Sequence, residues 1–179
     1  MYKKKYILED LKKSIRDVPD FPKKGILFKD LTTVFKDKKF LSFMVDEIYE
    51  YYKNLGITKI VGIESRGFIL GTALAYKIGA GFILVRKPNK LPSETYKKSY
   101  DLEYGKDQLE IHKDALNSDD VVLIHDDLLA TGGTAIATLD LLKNFNLKKI
   151  YLNFAVELAF LKAREKFNKN IDIYSLIKF

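Results

Sequence analysis

Asp126 and Asp127 stand side by side behind the apolar run Val121, Val122, Leu123 and Ile124, and Thr131, Gly132, Gly133 and Thr134 follow almost at once. Adjacent carboxylates at the point where a strand built from that run leaves its sheet would face a pocket. A glycine-rich turn that opens a helix presents unpaired backbone N–H groups and the positive end of the helix dipole, which suits a phosphate. The logic recurs at residues 62–71, GIESRGFILG, where a strand gives way to an acid, a small residue, an arginine and a glycine. Arg66 at a helix start is poorly placed as a lone cation, because the dipole there already favours negative charge. An anionic ligand resolves that conflict. Arg86, Lys87 and Lys90 add three more cations close by in sequence, so the chemistry implied is the holding of two phosphate groups in two cradles.

Strands and helices must position these groups. An apolar run without polar alternation, as at residues 121–124, fits a strand covered on both faces of a parallel sheet. In open sheets of that kind ligands lie outside the carboxyl ends of the strands, where the acidic pair falls. The spacing predicts helices over residues 7–16, 40–52 and 135–143, one that follows the turn at 65–67 and runs through Leu70, Leu74 and Ile78, and one near Lys162. Strands are predicted from Lys59, over 81–86, from Tyr151 and over 171–177. Strand, turn and helix alternate, which implies a mostly parallel twisted sheet flanked by helices. Two segments stand apart. Residues 18–31 hold two prolines and a glycine yet carry Phe21, Ile26, Leu27, Phe28 and Leu31, which want burial or a ligand. Residues 87–112 form a long excursion of the kind used as a lid, with a hairpin predicted around Gly105 and Lys106.

Composition narrows the function classes. The 179 residues, 47% hydrophobic, suffice for one domain spanning 1–179, and no low-complexity tract or repeat divides them. There is no cysteine, which removes disulfides, thiolate metal sites and a cysteine nucleophile; His112 and His125 are the only histidines. No apolar run approaches the roughly 20 residues of a membrane span, so a cytoplasmic protein without a membrane partner is expected. The net charge of +7 invites a nucleic-acid reading, but the lysines are scattered and no recognition motif accompanies them. No nucleic-acid partner is expected. Arginine is scarce, four residues in all, which marks Arg66 and Arg86. No G-x-x-x-x-G-K-[ST] motif occurs, and Gly79-Ala80-Gly81 precedes a strand and lacks the third glycine of a dinucleotide fingerprint.

VLIHDDLLATGGT resembles the phosphoribosyl-diphosphate motif of the type I phosphoribosyltransferases, in the version carried by the adenine-using members. IRDVPDFP, GILFKDLT, ESRGF, RKPNKLP and YDLEYGKDQLEIHKDAL resemble the same family in the same order and cover nearly the whole chain. The resemblance implies an α/β type I phosphoribosyltransferase fold with an N-terminal hood over residues 1–35 and a flexible catalytic loop over 87–112. It implies a purine-salvage reaction, adenine plus phosphoribosyl diphosphate giving AMP and pyrophosphate with Mg2+, in a homodimer.

The same resemblance implies residue roles. Ala130, Thr131, Gly132, Gly133 and Thr134 would take the 5-phosphate, and Asp126 and Asp127 the ribose hydroxyls, directly or through water and metal. Arg66 would hold pyrophosphate, with the Glu64-Ser65 peptide a candidate for the cis form. Arg86, Lys87 and Lys90 would add charge at the leaving group, within the subunit or across a dimer interface. Phe28 would stack on the purine opposite Leu128 while backbone groups of Leu27 and Lys29 read its amino edge. Glu103 would be the general acid/base, and Tyr104 would help close the loop.

Four positions depart from the family pattern: Lys24 for proline, Asn89 for glycine, Lys29 for arginine, and His125 for an apolar residue. His125 needs a partner if buried, with Tyr151, a neighbouring strand or the pocket rim as candidates. An enzyme acting on another purine is the nearest alternative; a non-catalytic sensor would need a DNA-binding domain for which 179 residues leave no room.

Overall fold

The apolar runs that lack polar alternation lie together as parallel strands. In the computed structural model residues 2–21, 23–102 and 105–179 are described, with the side chains of 2–5, 101, 102, 105 and 106 set aside. The described chain divides into two compact units, residues 1–47 and 48–179.

The first unit begins with helix α1 (Tyr2–Ser14) and continues as an antiparallel ribbon of β1 (Arg16–Pro19) and β2 (Leu27–Asp30). The short helix α2 (Thr32–Phe35) and the start of α3 (Lys38–Tyr52) follow. The first helix stops two residues short of Arg16, whose guanidinium ends on Asp30, its partner in the ribbon, at 2.6 Å. Pro19, which ends β1, and Gly25, at φ +90, keep these strands to four residues each. Leu31 and Val34 are fully buried.

In the second unit five parallel strands run β4-β3-β7-β8-β9, with β3 (Lys59–Ile63), β4 (Gly81–Val85), β7 (Val121–Leu129), β8 (Lys149–Glu157) and β9 (Asp172–Lys178). Between them come α4 (Gly67–Ile78) and α5 (Gly133–Leu142), and an antiparallel pair of β5 (Thr95–Leu102) and β6 (Gly105–His112). Val61, Ile63, Val122, Ile124, Leu152 and Phe154 form the sheet's contribution to the core, joined by Leu141 and Leu142 of α5. The order of strands decides where the site falls. The chain passes from β3 to β4 on one side and then crosses to β7 on the other side of β3, so the sheet reverses direction between β3 and β7. That reversal is where open α/β sheets bind ligands. The turns at 64–67 and 130–133 leave from these two adjacent strands.

Two expectations fail in detail. The helix near Lys162 is replaced by two single 3-10 turns, Ala159–Leu161 and Ala163–Lys166, because Lys162 between them adopts a left-handed backbone, φ +52, that no α-helix continues. The hairpin is longer than expected and Gly105 is the first residue of its second strand, where Leu102 pairs with it.

His125 is completely buried in the central strand. Its partner is the neighbouring strand: Nδ1 lies 2.7 Å from Asn153 Oδ1, in register on β8, while Asn153 Nδ2 donates to Tyr174 O of β9. The amide oxygen only accepts, so Nδ1 carries the proton and Nε2 is a buried acceptor with no partner among the described residues. Burial holds the imidazole neutral, lowering its pKa from the ordinary value near 6.5 to about 4. The native state thus binds this proton less readily than the unfolded chain, so the stability is fully present above pH 6.5 and is lost as pH falls towards 4. The window corresponds to a loss of about 3 kcal/mol. His125→Leu, which cannot take the proton, should be less stable than the wild type at pH 7, and urea titrations at intervals down to pH 4 should show that gap closing. A gap independent of pH would contradict a neutral buried imidazole.

Candidate active site

The site grows from the carboxyl end of β7. Alternation along the strand buries Asp127 beside His125 and leaves only small parts of Asp126 and Leu128 open at the rim. A cavity there is lined by Asp126, residues 128–135 and Phe154. Its floor is the glycine-rich turn. Gly132 caps α5 in a left-handed conformation, φ +85, and α5 begins at Gly133. The first bond of that helix, from Ile136 N to Gly132 O at 3.0 Å, leaves the preceding amides outside the helical ladder. Amides so placed at a helix start are donors for an anion.

The paired carboxylates are withdrawn from water, and burial pushes both up from the usual carboxylate range. Asp126 is raised well above it, because the charge of Asp127 adds to burial, and Arg66 only partly offsets this. Asp127 is raised less, since the Arg66 guanidinium beside it opposes burial: Arg66 Nε lies 2.8 Å from Asp127 Oδ2. Asp126 Oδ1 accepts the Asp127 amide at 2.9 Å. Three or more His, Asp or Glu groups that would cage a metal by themselves do not occur among the described residues. Two adjacent carboxylates nonetheless offer the oxygen donors Mg2+ takes, and that ion commonly keeps waters and ligand phosphates in its shell alongside one or two carboxylates. The residues present fit magnesium carried in with a phosphorylated ligand.

Arg66 arrives from the neighbouring strand. The turn after β3 contains a cis Glu64–Ser65 peptide, and Arg66 then caps α4. Glu64 sits in an exchange of bonds with the next strand: Arg86 Nε and Nη2 reach its two oxygens at 3.1 and 3.2 Å, and the Lys87 amide donates to Oε2 at 2.8 Å. Burial would raise the Glu64 carboxyl, but these donors outweigh it and hold the group below its usual range. Arg86 Nη1 also donates to Lys90 O at 3.2 Å, which shapes the 86–90 turn. In that turn Asn89 takes φ +63, a conformation asparagine tolerates better than other residues that carry a Cβ, which explains why it can stand for glycine.

The hairpin closes over the same end of the sheet. Tyr100 Oη lies 3.4 Å from both Thr134 Oγ1 and Asp107 Oδ2, and Asp107 pairs with Lys87 Nζ at 3.1 Å. Glu103 and Tyr104 lie outside the described residues. In the first unit Phe28 is half-buried with Phe21 edge-on at 5.1 Å, and Leu27 is half-exposed. Lys29 is buried and paired with Asp17.

Of the residues singled out by sequence, Asp126, Leu128 and 130–134 converge on one cavity; Asp127 is buried behind its rim, where Arg66 pairs with it. Sequence reasoning missed Asn153, Tyr100 and Asp107, which carry no local signal.

Residues 36–178 match the family described as the phosphoribosyl transferase domain. A protein of Bacteroides fragilis named adenine phosphoribosyltransferase is 58% identical over 171 residues, covering 94% of this chain and 96% of that one. The crystal structure of adenine phosphoribosyltransferase from Rhodothermus marinus superposes with a TM-score of 0.92 at 44% identity, covering 98% and 99%. That of the Giardia lamblia enzyme with 9-deazaadenine gives 0.92 at 43%, covering 96% and 97%.

The approach of α4 to β7 rests on Gly67, where an added Cβ would stand 2.8 Å from His125 O and 3.1 Å from Asp126 Oδ1. Backbone cannot yield as a side-chain tip does. Gly67→Ala should therefore cost about 1–3 kcal/mol of stability, the range for overpacking, seen as a lower urea midpoint; an unchanged midpoint would mean the close contact is not required.

Proposed function

The chain belongs to the adenine phosphoribosyltransferases of the phosphoribosyl transferase family, and from that premise we propose how its residues carry the transfer of a phosphoribosyl group to adenine, giving AMP and pyrophosphate. The observation that carries the reading is the pair of turns at the ends of β3 and β7, with Asp126 and Asp127 between them.

The turn 130–134 and the start of α5 take the 5-phosphate through backbone amides and the hydroxyls of Thr131 and Thr134. Asp126 and Asp127 accept from the ribose hydroxyls, which adds donors to two water-poor carboxylates. As pyrophosphate departs, positive charge develops at the ribose carbon in an oxocarbenium-like transition state, as in glycoside chemistry. Carboxylates aimed at the sugar favour that charge, and their fixed placement avoids reorganisation during the step. Arg66, Arg86, Lys87 and Lys90 counter the charge of the diphosphate. Arg86 and Lys87 are held in place by Glu64 and Asp107, so their ammonium and guanidinium groups are positioned before a ligand arrives. Magnesium, when bound, neutralises diphosphate oxygens and so improves the leaving group.

Phe28 supplies an aromatic face for the purine, with the backbone of Leu27 and Lys29 reading the amino edge; Leu128 supplies an apolar surface at the rim of the phosphate cavity. Glu103 exchanges a proton with the purine nitrogen that changes basicity as the new bond forms, and Tyr104 helps exclude water. The active unit is a homodimer working in the cytoplasm. No helix among the described residues is long and apolar enough to cross a membrane.

Incubation with magnesium, phosphoribosyl diphosphate and adenine, hypoxanthine or guanine in separate reactions should give AMP and equimolar pyrophosphate from adenine alone, read by chromatography. Product from hypoxanthine instead of adenine would overturn the assignment of the base. Glu103→Gln should lower kcat by about 10²–10⁴-fold, the range of general acid–base catalysis, with the Km for phosphoribosyl diphosphate little changed. A kcat within twofold of wild type would remove Glu103 from proton transfer.

A further inference from the structure

Behind the phosphate cradle lies a second layer of residues with no part in the scheme above. Glu157, the last residue of β8, pairs in register with Leu129, the last residue of β7 before the cradle, and Leu158 N donates to Leu129 O at 2.9 Å. Glu157 is almost fully buried. Arg164 meets it with a two-pronged contact, Nε to Oε1 and Nη2 to Oε2, both 2.8 Å. The guanidinium also donates to Ile173 O at 2.9 Å and Ser175 Oγ at 3.2 Å, both on β9. Burial would raise the Glu157 carboxyl, yet Arg164 and Ser175 hold it low, so the pair stays ionised. A buried carboxylate with such a fork is geometrically specific and costly to break. Its effect is to pin the 3-10 turn Ala163–Lys166.

That turn presses on the cradle at two consecutive residues. An added Cβ on Gly132 would lie 3.3 Å from Ala163 Cβ and 3.4 Å from the Phe167 ring, so the turn packs directly on the glycine. Lys166 Nζ donates to Thr131 O at 2.9 Å. Thr131 O and Gly132 N–H belong to one peptide plane, and in a trans peptide the two point in opposite directions. With the carbonyl drawn towards Lys166, the amide of Gly132 faces away from the turn, as a phosphate donor must. A cation on the carbonyl oxygen also polarises the amide and strengthens its N–H as a donor.

We propose that Lys166, set in place by the Arg164–Glu157 pair, is a positioning residue for the 5-phosphate: it orients and polarises the Thr131–Gly132 peptide from behind. The inference rests on the 5-phosphate being the group held by the cradle. It acts on phosphate binding and leaves the bond-breaking step alone, which separates it from a general structural role.

Lys166 is exposed apart from this bond, so Lys166→Met should fold as the wild type does. Its affinity for ribose 5-phosphate by calorimetry should fall about fivefold to tenfold, the equivalent of one modest hydrogen bond, and the Km for phosphoribosyl diphosphate should rise in parallel. Kcat and the Km for adenine should stay within twofold, and Lys166→Arg should recover most of the loss. Arg164→Lys, which keeps the charge but loses the fork, should shift the same two quantities. Wild-type affinity for ribose 5-phosphate in Lys166→Met would overturn the proposal, as would an equal fall in every kinetic constant. Absence of AMP formation by the wild type would instead overturn the catalytic reading, while the calorimetric comparison would still decide the role of Lys166.

Discussion

Two carboxylates adjacent in sequence are withdrawn from water at the end of the central strand, with one guanidinium at 2.8 Å from the inner of them. Charge in that setting is costly until it is paired or hydrogen-bonded. Much of the surrounding architecture follows from managing it. Arg66 has to reach β7 from the turn after β3, which brings α4 against the strand so closely that only a glycine fits at residue 67. The raised pKa values of both acids follow from burial, with no unusual residue type needed.

The cradle beside them answers a different demand. Backbone amides bind phosphate only if their planes are fixed, and a turn rich in glycine is intrinsically loose. Here its stiffness comes from outside the motif. The front residues of the turn are supported by residues 163–167, which are fastened to β8 and β9 by a buried ion pair. Flexibility required for close approach and rigidity required for orientation are thus divided between segments about 30 positions apart in the chain.

Pairing also organises the cations around the second turn. Arg86 lies on Glu64 and Lys87 on Asp107, each acid holding a positive group near the ends of the strands at modest separation. Exposed pairs of this kind add little to stability. Their consequence is placement. Asp107 and Tyr100 belong to the hairpin, and Tyr100 touches Thr134 of the cradle, so the hairpin is linked both to the phosphate turn and to the lysine at the opposite turn.

The local elements were legible in the sequence because they depend on short-range physics. Continuous apolar runs marked the buried strands, helical spacing marked α3, α4 and α5, and Gly132-Gly133 after paired acids marked the phosphate turn. Left-handed backbone at Gly132 and Asn89 falls where residue type alone pointed to a turn. What tertiary structure decided are relations between segments distant in sequence. The strand order that sets residues 64–67 beside 130–134 depends on a crossover past β3, which periodicity does not encode. His125 finds Asn153, 28 residues away, only because β7 and β8 pair in that register. A helix expected near Lys162 became two short turns because Arg164 bonds to a buried carboxylate and to β9 instead of facing solvent along a helix. Residue type and spacing fix which groups can do chemistry, whereas packing of the sheet fixes which of them meet, since burial and partnership arise only when strands from separate parts of the chain share one layer.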